Sequence, residues 1–192
     1  MRPRVLVDSD GVVCDLESTW LRWYQLNHEP DMTAEKMFRA WHVDKHVGAG
    51  ESVYDAFSSP SFFLSLKPYP DQLMWLEKLN QVADVVITTD CRGVPQAGYD
   101  KMMWYRFNAP FLDLSKQITL TGEKWMIKAD AMVDDKLSNI TKFKEQQSVC
   151  ARYDGSSCMG FYVRRSHGAE DVVDNLRIRE VSGLQQVYEF YK

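Results

Sequence analysis

The sequence predicts an α/β protein, a parallel sheet with helices on both faces and a small helical insertion after the first strand. Three observations predict it. Short apolar runs at 5–7, 83–88, 117–120 and 131–133 alternate with segments of helical spacing, the pattern that builds parallel sheets. Several of these runs stop at polar or acidic residues, which in open sheets face the ligand crevice. The stretch from about 16 to 65 has no strand pattern of its own, so it reads as a helical insertion.

Each element follows in order. Val5-Leu6-Val7 is a short buried strand that ends at Asp8. Residues 15–27 have helical spacing, with Trp20, Trp23, Tyr24 and Leu26 as apolar surface. Residues 33–57 read as mostly helical, rich in aromatics and interrupted near Gly48 and Gly50. Residues 58–70 form a loop punctuated by Pro60, Pro68 and Pro70. Leu73, Leu76 and Leu79 then give a helix over 71–80 one apolar face. A second strand covers 83–88, a helix 99–107, a third strand 117–120 and a fourth 131–133. A fifth strand is expected at 149–153 and a closing helix at 184–191. The organisation predicted is a core of 1–15 and 66–192 with a cap of 16–65.

Composition narrows the function. The 192 residues are 45% hydrophobic and 26% charged, ordinary values for a globular chain. A net charge of -4 argues against a general nucleic-acid binder, which needs clustered Lys and Arg, so no stable nucleic-acid partner is expected. Cys14, Cys91, Cys150 and Cys158 form no CxxC pair and no zinc spacing. They fit reduced thiols. The first apolar run is too short for a signal or a membrane span, and a cytoplasmic protein without membrane attachment is the expectation.

The strand ends carry the chemistry. Strand one ends Asp8-Ser9-Asp10-Gly11, strand two Thr88-Thr89-Asp90, and strand four Asp134-Asp135. Converging carboxylates repel one another unless a cation sits among them, and hard oxygen ligands suit Mg²⁺. A carboxylate such as Asp8 can attack phosphorus, Mg²⁺ can screen the two anions, and Asp10 can exchange a proton with the leaving group and then with water. Thr88 can donate to a phosphate oxygen, and Lys124 can neutralise charge as it spreads. Gly11 lets the chain turn away from the strand. His42 and His46 are four apart but lack a third ligand nearby, and Gly48-Ala49-Gly50 follows no strand, so neither marks a zinc or dinucleotide site.

Asp8-Ser9-Asp10-Gly11-Val12, the strand ending in Thr88, Lys124, and Asp134-Asp135 together resemble the four ordered motifs of the haloacid dehalogenase superfamily. The closer resemblance is to the 5'(3')-deoxyribonucleotidase family. It is carried by the 61–70 segment Ser-Phe-Phe-Leu-Ser-Leu-Lys-Pro-Tyr-Pro, by Tyr99-Asp100-Lys101-Met102-Met103-Trp104, and by Leu120-Thr121-Gly122-Glu123-Lys124 followed by 129–136. It spans about Val5 to Asn139; the last fifty or so residues match poorly.

The resemblance implies Asp8 as nucleophile and Asp10 as acid/base. It implies Mg²⁺ held by Asp8, the carbonyl of Asp10 and the Asp134-Asp135 pair, with the direct ligand of that pair left open. Thr88, Thr89 and Lys124 would hold phosphate, with Lys101 a secondary candidate. Trp41, His42 and Val43 would contact base and sugar, with Leu16 standing where the family has an aromatic. The substrate implied is a deoxyribonucleoside monophosphate, and the family's dimers suggest a homodimer. One departure concerns the phosphate end: the family reads Thr-Ser-Pro where this chain has Thr88-Thr89-Asp90-Cys91-Arg92. Asp90 adds negative charge there unless Arg92 pairs with it. The competing readings are a phosphatase of another small monoester, such as a sugar phosphate or a nucleic-acid end, and a nucleotide-binding protein without turnover.

Overall fold

The computed structural model describes residues 2–149, 158–165 and 177–192. Strand β1 (Arg4–Asp8) lies at the centre of a sheet of six parallel strands. Its neighbours are β4 (Asp84–Thr89) and β6 (Ala131–Asp134). Beyond β4 lies β5 (Ile118–Leu120), and beyond β6 lie β7 (Met159–Val163) and β8 (Ile178–Val181). A separate two-residue ladder pairs β2 (Cys14–Asp15) with β3 (Lys67–Pro68) in antiparallel register.

Alternation along the strands sorts the core into two layers, because successive side chains point to opposite faces. Leu6, Val86, Met132 and Tyr162 pack with Ile140 and Phe143 of α5 (Leu137–Val149). Val5, Val7, Val85, Ile87, Val133 and Phe161 face the other way. There they meet Leu76 and Leu79 of α3 (Gln72–Val82), Trp104 and Tyr105 of α4 (Pro95–Asn108), and Leu184 and Val187 of α6 (Leu184–Tyr191). Val5, Leu6 and Val7 are all fully buried. Each gains roughly 1.5–3 kcal/mol from that burial, so the strand that carries Asp8 is a well-anchored platform.

Between β2 and β3 the chain is helical. Helix α1 (Leu16–Asn27) starts where the Asp15 carboxylate accepts the Ser18 N–H at 3.0 Å. Helix α2 (Ala34–Met37) is one turn, and 3₁₀ turns follow at Val43–Lys45, Gly50–Ser58 and Phe63–Ser65. Trp20 anchors this region: its ring lies 4.8 Å from that of Phe57, and its Nε1 donates to the Val53 carbonyl at 2.9 Å. The β2–β3 ladder ties the two ends of the excursion together.

The expectations fail in three places. The mostly helical stretch over 33–57 is broken more finely than expected, into one α-turn and two 3₁₀ turns, the second starting at Gly50. Its buried residues Met37, Phe38, Val43, Val47, Val53 and Phe57 do not share one helical stripe, so only a folded-back chain can turn them all inward. The 58–70 loop holds a 3₁₀ turn and β3. Of the expected strand at 149–153, Val149 ends α5 and 150–153 lie outside the described residues. Helix α5 and strands β7 and β8 are elements that the sequence pattern does not place.

Candidate active site

Parallel register aligns the strand ends. Asp8 pairs with Thr88, and Val7 pairs with Val133, one residue short of Asp134. The side chains of Asp8, Asp134 and Asp135 therefore converge, each offering an oxygen within 4.8 Å of the others. All three residues are buried.

Lys124, on the 3₁₀ turn Lys124–Met126, sits between two of them. Its Nζ lies 2.6 Å from Asp8 Oδ2 and 2.9 Å from Asp134 Oδ2. Burial works against its charge, but Asp134 and Asp8 outweigh burial and hold the ammonium protonated well above the usual lysine range. Burial acts the other way on Asp8. It pushes the carboxyl up, Lys124 opposes that, and the neighbouring acids reinforce it. Asp134 is oriented by the Lys136 N–H at 2.9 Å and by Asn139 Nδ2 at 3.1 Å. Asp8 Oδ1 accepts the Ser9 N–H at 2.6 Å. Behind it, the Tyr105 hydroxyl donates to Ser9 Oγ at 3.0 Å.

With all three ionised, the carboxylates exceed the one ammonium by two charges, which a divalent cation would balance while opposing the upward push that burial and the neighbouring acids give Asp8. The backbone supports the same arrangement. Gly11 has φ +75°, and a Cβ there would stand 1.7 Å from Asp135 Oδ2. The Asp135 carboxylate thus occupies space that only glycine leaves open.

Asp10 is held apart from this group. Its Oδ2 lies 2.5 Å from Lys101 Nζ, which also donates to Thr89 Oγ1 at 2.8 Å and to the Asp90 carbonyl at 2.7 Å. Lys101 is buried, with its ammonium 4.4 Å from the Phe63 ring centroid. All three of its donors are engaged, by Asp10, Thr89 and the Asp90 carbonyl. Asp10 Oδ1 and Thr88 Oγ1 are buried without a hydrogen-bond partner.

Above the carboxylates are two adjoining cavities, each of about 240 Å³. The first reaches Asp8, Lys124 and Asp135; the second is walled by His42, Tyr54, Phe57 and Arg92. Leu16, Trp20, Trp41, Asp10, Asp90 and Lys136 line both. Val43 lines the first and is buried. All four residues expected to contact substrate therefore border this space. The Arg92 guanidinium lies 4.4 Å from the Tyr54 ring centroid, while the Arg92 backbone N–H donates to Asp90 Oδ1 at 2.7 Å.

Several contributors are not apparent from sequence. Asn139 lies on α5, five residues past Asp134, a spacing that recognition of that helix would have revealed. Arg165 donates to the Gly11 carbonyl, and its guanidinium lies 3.9 Å from the Tyr69 ring centroid. Nothing local in the sequence links residue 165 to residue 11.

A profile of the family described as "5' nucleotidase, deoxy (Pyrimidine), cytosolic type C protein" matches residues 2–180. A 5'(3')-deoxyribonucleotidase of Bacillus subtilis is 26% identical over 144 residues, covering 75% of this chain and 82% of the relative. The human mitochondrial 5'(3')-deoxyribonucleotidase is 30% identical over 144 residues, covering 69% of this chain and 62% of the relative. The human cytosolic-type enzyme is 27% identical over 148 residues, covering 69% and 70%. Among solved structures, a dehalogenase with an intermediate complex superposes with a TM-score of 0.56 at 13% identity, covering 100% of this chain and 98% of that one. A haloacid dehalogenase-like hydrolase from Xanthomonas campestris gives 0.55 at 12% identity, covering 99% and 95%. These structural likenesses show the fold: an α/β architecture of the haloacid dehalogenase type. No helix of the described residues is long and apolar enough to cross a membrane.

Proposed function

The chain belongs to the family of cytosolic-type 5' deoxynucleotidases, and from that premise we propose that it hydrolyses deoxyribonucleoside monophosphates through an aspartyl-phosphate on Asp8. The observation that carries the proposal is the Asp8–Lys124–Asp134 arrangement, buried at the carboxyl ends of the central strands and open to an aromatic-walled cavity. The relatives' names supply the substrate class.

Asp8 attacks phosphorus and the bond from phosphorus to the ester oxygen breaks. Asp10, positioned by Lys101, gives its proton to the departing oxygen. It then takes one from water as that water attacks phosphorus and releases Asp8. Lys124 balances the charge that spreads over the phosphoryl oxygens. The buried Thr88 hydroxyl, which has no hydrogen-bond partner within the protein, would donate to one of those oxygens, and Thr89 can donate while accepting from Lys101. Mg²⁺ fits the side chains of Asp8, Asp134 and Asp135, with the Asp10 carbonyl a fourth candidate. Once bound, it would screen the repulsion between the nucleophile and the phosphate.

Residues 16–65 act in this reading as the cap over the nucleoside, with Leu16, Trp41, His42 and Val43 against sugar and base. The cytosolic type in the family description supports a cytoplasmic site of action, and a homodimer is what the family resemblance suggests.

The test is phosphate release from 5' and 3' deoxy- and ribonucleoside monophosphates, with Mg²⁺ and with EDTA, for the natural sequence and for Asp8→Asn. Magnesium-dependent release from deoxynucleotides that disappears in Asp8→Asn is the expected result. Release only from a generic aryl phosphate would sink the substrate class, and turnover in Asp8→Asn would sink the covalent mechanism.

A further inference from the structure

We propose that Asp90 is a specificity-determining residue: its carboxylate accepts a hydrogen bond from a free hydroxyl on the substrate's sugar and repels a second phosphate in that hydroxyl's place. The inference rests on the nucleotidase reading and names what that site selects.

Asp90 is exposed, yet it is pinned. Its carbonyl accepts from Lys101 Nζ at 2.7 Å, and the same ammonium holds Asp10 Oδ2 at 2.5 Å. One buried cation therefore fixes the main chain of Asp90 relative to the acid/base residue. The side chain is fixed separately. Oδ1 accepts the Arg92 N–H at 2.7 Å, inside a turn closed by the Val94 N–H on the Cys91 carbonyl at 2.8 Å. Arg92 holds a left-handed φ of +48° and Gly93 one of +72°. A non-glycine residue is held there at a cost in free energy, so the turn is imposed by its surroundings. On the opposite side Gly122 leaves room for the carboxylate, since a Cβ there would stand 3.3 Å from Oδ2. With its main chain held by Lys101 and its carboxylate by the Arg92 N–H, this exposed aspartate is oriented in advance, the condition for a group that selects a ligand.

Its position gives the ligand. Asp90 borders both cavities, the one over Asp8 and Lys124 and the one walled by Tyr54 and Arg92. A nucleotide with its phosphate at Asp8 and its base among the aromatics carries its sugar past Asp90. An ionised carboxylate only accepts hydrogen bonds, and the neutral donor on a sugar is a hydroxyl. The Arg92 guanidinium, the cation nearest in sequence, is turned onto the Tyr54 ring. An anionic group on the sugar would thus face the Asp90 carboxylate.

The test compares kcat/KM for the natural sequence, Asp90→Asn and Asp90→Ala on three compounds: a 2'-deoxynucleoside 5'-monophosphate, its 2',3'-dideoxy counterpart, and the 3',5'-bisphosphate. The natural sequence should prefer the first over each of the others by about tenfold or more, the usual effect of a lost charge-assisted hydrogen bond or an added like charge. Asp90→Ala should lose both preferences. Asp90→Asn, which keeps an acceptor and the turn's N–H bond but no charge, should keep the preference over the dideoxy compound and lose the one over the bisphosphate. Thermal unfolding shows that each variant is folded. Unchanged ratios in both variants overturn the assignment of Asp90 alone. Failure of the natural sequence to hydrolyse any of the nucleotides overturns the functional reading, and this inference with it.

Discussion

Replacing Gly11 with alanine separates two effects that usually arrive together. The first is conformational: at φ +75° an alanine costs roughly 1–2 kcal/mol. The second is a collision, because the new Cβ would stand 1.7 Å from Asp135 Oδ2. The carboxylate must then withdraw by more than an ångström from the group it shares with Asp8 and Asp134. Gly50 provides the control. It has φ +55°, and a Cβ there would meet nothing within 4 Å, so Gly50→Ala incurs the conformational cost alone. Both variants should melt lower, by about 2–4 °C for each kcal/mol in a chain of this size. Only Gly11→Ala should raise the Mg²⁺ concentration needed for half-maximal turnover, by about tenfold to a hundredfold. Unfolding curves in EDTA and an Mg²⁺ titration of phosphate release measure the two effects separately. If Gly11→Ala matches Gly50→Ala in turnover and Mg²⁺ dependence, Asp135 has no part in the cation site and the reasoning from its contact with Gly11 is refuted.

Lys124→Met strands two buried carboxylates and should lower stability by about 3–5 kcal/mol in chelator; urea denaturation showing less than about 1 kcal/mol would contradict the pairing. Asp8 titrates above the normal carboxyl range because burial, foremost, favours its neutral form. The native state therefore keeps a proton that the unfolded chain has released, and stability contributed by Asp8 falls as pH rises from about 4 through its raised native value. In EDTA the difference in stability between Asp8→Asn and the natural sequence should grow over that pH window, and a difference independent of pH would refute the assignment. Arg165→Gln loses the contact to the Gly11 carbonyl and the stacking on Tyr69. It should lower kcat roughly tenfold, through misplacement of the Asp8–Gly11 turn, and change KM less. Arg165→Lys should recover part of the loss, and a variant altered only in KM would count against a positioning role.

What the sequence discloses about this fold follows from strand chemistry. Val5-Leu6-Val7, Val85-Val86-Ile87 and Ala131-Met132-Val133 are apolar on both faces because both faces are covered, and continuous apolar runs are legible without any partner. Asp8, Asp10, Thr88, Asp134 and Asp135 are legible for a related reason: polar residues that end buried strands have little structural purpose other than the crevice they face. Lys124 is legible only through its spacing to Asp134. Residues 16–65 resist reading because they pack through aromatic contacts around Trp20, which leave no fixed period in the chain. Helix α5 escapes notice because Ile140 and Phe143 on its inner face are separated by polar residues that dilute the pattern.

The site's supporting residues are hidden for a further reason. Lys101 reaches Asp10 across 91 positions and Arg165 reaches Gly11 across 154. A lysine on a helix reads as a solvated surface residue until the sheet order brings α4 beside β4. Its burial then makes sense only if its charge is matched, and Asp10 supplies the match. Asp10 and Lys101 are thus interdependent: without Lys101 the Asp10 carboxyl loses its Oδ2 partner, and without Asp10 the buried ammonium loses one of its three acceptors. The same ammonium fixes the Asp90 carbonyl. The residue proposed to transfer the proton and the residue proposed to read the sugar therefore share one anchor, and a change at Lys101 should disturb turnover and selectivity together.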